Sequence, residues 1–175
     1  MRIRSLSLIF LLLLPTKLYS NNIAVIDINY LINNSKHFIT ISEEIKIAQT
    51  NYKEFFNNTE QNLIKIKSEL EDSKLILSDD EFNIQKNEYY KKVEKFENDI
   101  LIFNNHYENE IMKIKNIIFS KISELIQVYA SENEIDLIFD KNQYLLANDM
   151  INISDIIFNK LNEMNIEIEF EIYEN

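Results

Sequence analysis

The 175-residue chain contains no glycine, no cysteine, no tryptophan and a single proline, Pro15. Without glycine it has no phosphate-cradling loop, no dinucleotide fingerprint and no glycine-flanked nucleophile elbow, each of which needs a backbone bare of Cβ at a fixed place. Without cysteine it has no disulfides, thiol catalysis or thiolate metal sites. Scarcity of both helix breakers favours long helices and disfavours sheets built on tight turns. Positive charge is also short, with 18 Lys and Arg against 29 Asp and Glu and a net charge of −11. A surface of that sign repels phosphates, which argues against nucleic acid as a partner. The two histidines, His37 and His106, lie far apart and have no glutamate at metal-ligand spacing, so both read as exposed or seam-edge residues. Carboxylate pairs such as Glu43/Glu44, Glu71/Asp72 and Glu108/Glu110 fall on charged helical stretches and read as solvated. Acid–base chemistry needs such groups in a shaped, partly buried cleft. No catalytic, metal or cofactor residue is assigned, and the chain does not read as an enzyme.

What the sequence does have is a long apolar stripe. From Ser42 to Ser131, apolar positions recur every three or four residues, as on one face of a helix. The first half runs through Ile45, Ala48, Tyr52, Phe55, Thr59, Leu63, Ile66, Leu70, Ser73 and Leu77. The second runs from Tyr89, Val93, Phe96, Ile100, Phe103 and Tyr107 through Ile111, Ile114, Ile118, Ile122 and Leu125 to Tyr129. Between the halves, Ser78-Asp79-Asp80-Glu81 matches a capping box, with Ser78 at the N-cap and Glu81 three residues on. This signature favours a break over one continuous helix, and predicts two helices folded back antiparallel, seam to seam, about a tip at 78–81. Spacings of 3-4-4, read at Tyr52–Phe55–Thr59–Leu63 and again in the second half, relax left-handed supercoiling and predict a fairly straight hairpin.

The first twenty residues read as an address. Arg2 and Arg4 precede the apolar run Leu6–Leu14, and Pro15–Ser20 leads to a cut after Ser20. The run is too short to anchor in a bilayer. Removing Arg2, Arg4 and Lys17 from the 18 basic residues leaves 15 against 29 acidic ones, a net charge of −14 on the processed chain. That charge argues against loose attachment to anionic membranes as well.

The remainder reads as a small β-containing body. Ile23–Asp27 is a buried strand and Asn29–Asn33 a short helix, ended by Asn33-Asn34-Ser35. Asn133 is the expected left-handed stop of the second long helix. Ile135–Asp140 reads as a strand, Lys141-Asn142 as a turn and Gln143–Ala147 as a second strand in hairpin spacing. Ser154 is the expected cap of a final helix with Ile156, Ile157 and Leu161 on its apolar face. The expected division is 1–20 signal peptide, 21–41 plus 132–162 oligomerisation body, 42–131 hairpin arm and 163–175 extension. In the extension, Ile166, Ile168, Phe170 and Ile172 alternate with Glu167, Glu169, Glu171 and Tyr173. It reads as an added edge strand or loosely ordered tail, with a strand that occupies the chain's own binding surface as the sharper alternative.

The strand Ile23–Asp27 behind a signal peptide, the charged helical hairpin, and then Asp136–Asn142 and Asn152-Ile153-Ser154-Asp155 together resemble the OmpH/Skp family of periplasmic chaperones. The likeness spans nearly all of residues 22–162. It implies an α+β, mostly α fold: a long antiparallel helical-hairpin arm on a small β-strand trimerisation body. It also implies a homotrimer whose arms enclose a cavity, holding unfolded outer-membrane proteins in the periplasm without ATP. The strand positions Ile23, Val25, Ile138, Phe139, Leu145 and Leu146 carry over as body or subunit-contact residues. Oligomerisation also follows from size, since so few short strands make a thin core for such long levers. The chain departs from the family pattern in having Glu134 where a glycine is common, and no proline before the last capping motif. Its tip is acidic, with Asp79, Asp80 and Glu81 where many relatives are basic. That argues against lipopolysaccharide or acidic-lipid contact there.

Apolar residues off the stripe are the candidates for contact with client proteins: Ile47, Phe56, Ile64 and Ile76 on the first helix, and Ile84, Tyr90, Leu101, Ile102 and Ile117 on the second. Either they broaden the hairpin's own core, or they line a cavity and make many weak contacts with unfolded chains. The competing function is a secreted coiled-coil scaffold or adaptor of the cell envelope.

Overall fold

The computed structural model describes residues 22–174. Strand β1 (Ile23–Ile26) leads into helix α1 (Ile28–Asn34), then the long helices α2 (Lys36–Ser73) and α3 (Asp79–Glu132), strand β2 (Leu137–Asp140) and helix α4 (Ser154–Glu163). At 1.5 Å per residue, α2 is about 57 Å long and α3 about 81 Å. Ser35 starts α2 six residues before the apolar stripe suggests. Its buried hydroxyl accepts from the Phe38 amide at 3.2 Å and donates to the Ile32 carbonyl at 3.0 Å, ending one helix and capping the next.

The two long helices pack as a hairpin whose turn comes after Ser73. Both Ile76 and Leu77 amides bond the Ser73 carbonyl, and α3 restarts in a reciprocal cap. There the Ser78 amide donates to Glu81 Oε2 at 3.2 Å and the Glu81 amide to Ser78 Oγ at 3.4 Å. The seam differs from the expected stripe at one place. Phe56 faces α3, with ring centroids 6.1 Å from Phe96 and 5.2 Å from Phe103, while Phe55 points to solvent. With two adjacent phenylalanines the sequence pattern is degenerate, and the facing aromatics decide. The local spacing Tyr52–Phe56–Thr59–Leu63 is therefore 4-3-4, an ordinary heptad step and not the 3-4-4 step expected there.

In the body, β1 and β2 pair in parallel, with Ile23 opposite Leu137 and Ile26 opposite Asp140. On its other side β1 is bridged at Val25 to Asn152, and the Ile153 amide donates to the Val25 carbonyl at 3.0 Å. The outer edge of β2 has no strand partner among the described residues. Residues 143–147 do not form the second strand of a hairpin. Asp140 instead caps a 3₁₀ turn at Lys141–Gln143, which sends the next, extended segment away from β2. Ser154 does not cap α4 either. It is the helix's first residue, buried, and its Oγ accepts from the Asp27 amide at 2.9 Å, while Asn152 Oδ1 takes the Ser154 amide at 3.0 Å. A single core joins body and arm. Leu31, Ile118, Ile122, Ile157 and Leu161 are all fully buried where α1, α3 and α4 meet.

The left-handed residue ending α3 is Glu134, at φ 53°, and not Asn133, at φ −111°. The Ile135 amide reaches back to the Ala130 carbonyl at 2.9 Å, the long bond of a Schellman cap, and that bond dictates which residue turns left-handed. A side chain there costs about 1–2 kcal/mol. Glycine would relieve this and lose part of the gain to unfolded-state entropy. Glu134→Gly is therefore expected to stabilise the chain by about 0.5–1 kcal/mol in urea unfolding. An unchanged midpoint would show that the strain is absorbed elsewhere.

Candidate functional site

The body is locked by two aspartates at the ends of the paired strands. Asp27 caps α1 by accepting from the Tyr30 amide at 2.9 Å and receives Lys141 Nζ at 2.8 Å. Asp140 accepts from the Ile28 amide at 3.1 Å and the Asn142 amide at 3.0 Å. Partial burial pushes both carboxyls up, but the bonds from Lys141 and Tyr30 on one, and from Asn142 and Ile28 on the other, outweigh it. Both titrate below the ordinary aspartate value. The aspartate at the end of each strand thus bonds the segment leaving the other strand, which gives the paired strand ends of the sequence a physical reason.

Of the body positions singled out in the sequence, Val25 is buried within its own chain, Ile138 and Phe139 are half-buried, and Ile23 is exposed. Leu145 and Leu146 are almost wholly exposed, at 105 % and 90 %, and nearby in sequence Met150 is 91 % exposed. On the arm, Ile47, Ile64, Ile76 and Ile84 stand in solvent, as do Tyr90, Leu101, Ile102 and Ile117. Phe56 does not, since it lies in the seam. Sequence reasoning missed Leu75, 94 % exposed beside Ile76, so the acidic tip also carries bare hydrocarbon. It also missed Met112, Phe119 and Val128 along α3. The signal was available: each is a large apolar residue one or two places off the 3-4 stripe. Among the described residues no helix is long and apolar enough to cross a membrane.

The C-terminal extension is not an edge strand. It leaves α4 and runs toward the tip along the paired long helices, with Ile166, Ile168 and Phe170 packed on the core. The alternation then slips by one, so that Ile172 faces solvent and Tyr173 is buried. Tyr173 enters an aromatic nest, edge-on to Tyr52 at 5.1 Å and Phe103 at 5.4 Å. The nest's attraction for an aromatic ring explains the slip. Two side chains of α3 hold the peptide groups of Glu171. The Glu171 amide donates to Glu110 Oε2 at 3.0 Å, and His106 Nε2 meets the Glu171 carbonyl at 2.7 Å. A carbonyl only accepts, so this His106 nitrogen carries the proton. The Tyr107 hydroxyl adds a longer contact, 3.4 Å, from the Tyr173 amide. Glu110, expected to be solvated, is only 4 % exposed. The Lys113 ammonium bonded to it holds its carboxyl below the usual range, burial opposes, and the Glu171 amide adds to the lowering.

This geometry defines a class of protein: a long helical-hairpin arm, mostly α, standing on a small β body. Comparison then gives the family. The model of the OmpH-like outer membrane protein family matches residues 22–161, and the chain belongs to that family. Among solved structures, a candidate outer membrane chaperone (OmpH-like) from Caulobacter crescentus CB15 is similar, with a TM-score of 0.68 at 13 % identity. The match covers 86 % of this chain and 91 % of that one. At this identity the likeness concerns the fold. No curated protein matches.

Proposed function

We propose that the chain is an ATP-independent periplasmic holdase that takes up unfolded outer-membrane β-barrel proteins between the arms of a homotrimer and keeps them from aggregating. The observation that carries this is the set of large apolar side chains left in solvent along both long helices, from Ile47 and Phe119 near the body to Leu75 and Ile76 at the tip. A monomeric soluble protein rarely leaves so much apolar surface without a partner for it. Spread over the length of both long helices and not gathered into one shaped pocket, it suits many weak contacts with unfolded chains better than one folded partner in a fixed register. Family membership supports the same role. Trimer formation is supported by the edge of β2 that has no strand partner among the described residues, and by the bare Leu145-Leu146 pair beyond it. The periplasmic address is supported by the family and by the sequence of residues 1–20, read as a leader with an expected cut after Ser20, which lies outside the described residues.

The processed protein is expected to suppress aggregation of a urea-denatured β-barrel outer-membrane protein at near-stoichiometric trimer. Light scattering that is unchanged at several-fold excess of trimer would count against the reading. Pull-down from envelope extract separates the rival role, since one folded complex in place of a range of unfolded barrels would mark an adaptor.

A further inference from the structure

We propose that the groove between α2 and α3 beneath the C-terminal tail is a binding site for extended polypeptide, and that the tail is its resident, displaceable occupant. The inference rests on the holdase reading for the identity of the competitor, an unfolded β-barrel chain.

Three features point this way. First, the polar contacts at Glu171 are made to its main chain. Glu110 takes the N–H and His106 meets the C=O of one residue, while the Glu171 side chain is solvent-facing. A pair of side chains thereby stands in for the neighbouring strand of a ladder, and a grip on the backbone reads no sequence. Second, the groove seats alternate side chains. Ile166, Ile168 and Phe170 sit inward with Glu167 and Glu169 outward, the period of a strand, although among the described residues no strand pairs with the tail. Transmembrane β-strands carry that same dyad alternation. Third, the buried Glu110 keeps Lys113 as a partner when the tail leaves, so the emptied site is not left with an unpaired carboxylate. The family match ends at residue 161, before the tail begins, so the tail lies beyond the part that defines the fold.

The test uses the whole processed chain. Hydrogen exchange is followed at the Glu171 and Tyr173 amides with and without a saturating denatured β-barrel protein, binding being checked separately by suppressed scattering. Exchange at these amides is expected to quicken at least tenfold while that of Ile118 and Ile122 holds. Unchanged protection with client bound would make the tail a fixed brace and overturn the proposal. A second arm needs no client. A fluorescent peptide of residues 164–175 is titrated into the wild type and into the full-length double variant Phe170→Ser/Tyr173→Ser, whose own tail is loosened. The variant is expected to capture the peptide at least tenfold more tightly, and adding Glu110→Ala to the variant to abolish capture. Equal, weak binding by wild type and double variant would overturn the proposal. Peptide capture in a protein that protects no client at all would uphold the groove and sink the holdase reading, so the two can fail separately.

Discussion

Phe103→Ala is expected to cost about 3–5 kcal/mol of stability, the range for removing a buried aromatic ring from a core that refills only in part. The residue is 3 % exposed and is the point at which three parts of the chain meet. Its ring lies 5.5 Å from Tyr52 and 5.2 Å from Phe56 on α2, 5.0 Å from Tyr107 on its own helix and 5.4 Å from Tyr173 of the tail. Tilted and edge-to-face pairs of this kind add about 0.5–1.5 kcal/mol each beyond simple burial. The loss is therefore expected to reach further than the arm. Urea unfolding followed by circular dichroism should show a lower midpoint, and the Tyr173 amide should exchange faster as its nest opens. Phe55→Ala is the internal control. Its ring is about half exposed and, among the described aromatics, touches only Phe56, so it should cost less than about 1 kcal/mol. Equal costs for the two would mean that the seam runs through the wrong phenylalanine.

That comparison also marks where the sequence stops being readable. The hairpin, its tip and the outline of the body come from local rules: a 3-4 spacing sustained over some ninety positions, a capping box, and short apolar runs at either end. These are properties of a helix or strand taken alone. Wherever the outcome depends on what lies across a gap, sequence spacing is degenerate. Phe55 or Phe56 is decided by Phe96 and Phe103, forty or more residues later. The partner of β2 is β1, more than a hundred residues earlier, so hairpin spacing after Asp140 pointed to the wrong neighbour. Glu110 was the most available miss. It sits at three- and four-residue intervals from Tyr107 and Ile114, on the inward stripe, and a carboxylate at such a place needs donors. One donor, Lys113, stands three residues on in the same helix, but the other is a main-chain amide of the tail, which no periodicity within α3 could disclose.

The double substitution Leu145→Ser/Leu146→Ser is expected to leave the single chain folded and to dissolve the proposed trimer. Both side chains lie almost entirely in solvent, and neither belongs to the core that joins body and arm. Their loss should therefore move the unfolding of an isolated subunit by no more than about 0.5 kcal/mol. In an assembly that covers them the balance changes. Burying a leucine side chain is worth about 1.5–3 kcal/mol, so the pair contributes about 3–6 kcal/mol per subunit. At 1.4 kcal/mol per factor of ten, that weakens association by about two to four powers of ten for each subunit. Sedimentation at low micromolar concentration should show trimer for the wild type and monomer for the variant, and suppression of barrel aggregation should fall with it. A lone hairpin keeps its exposed apolar side chains but has no second and third arm to enclose a client, so affinity and protection should be lost together. A variant that stays trimeric would place the subunit contacts elsewhere, with the open edge of β2 next in line. A variant that is monomeric yet still protects its clients would show that a single arm with its tail groove is enough, and that enclosure adds nothing.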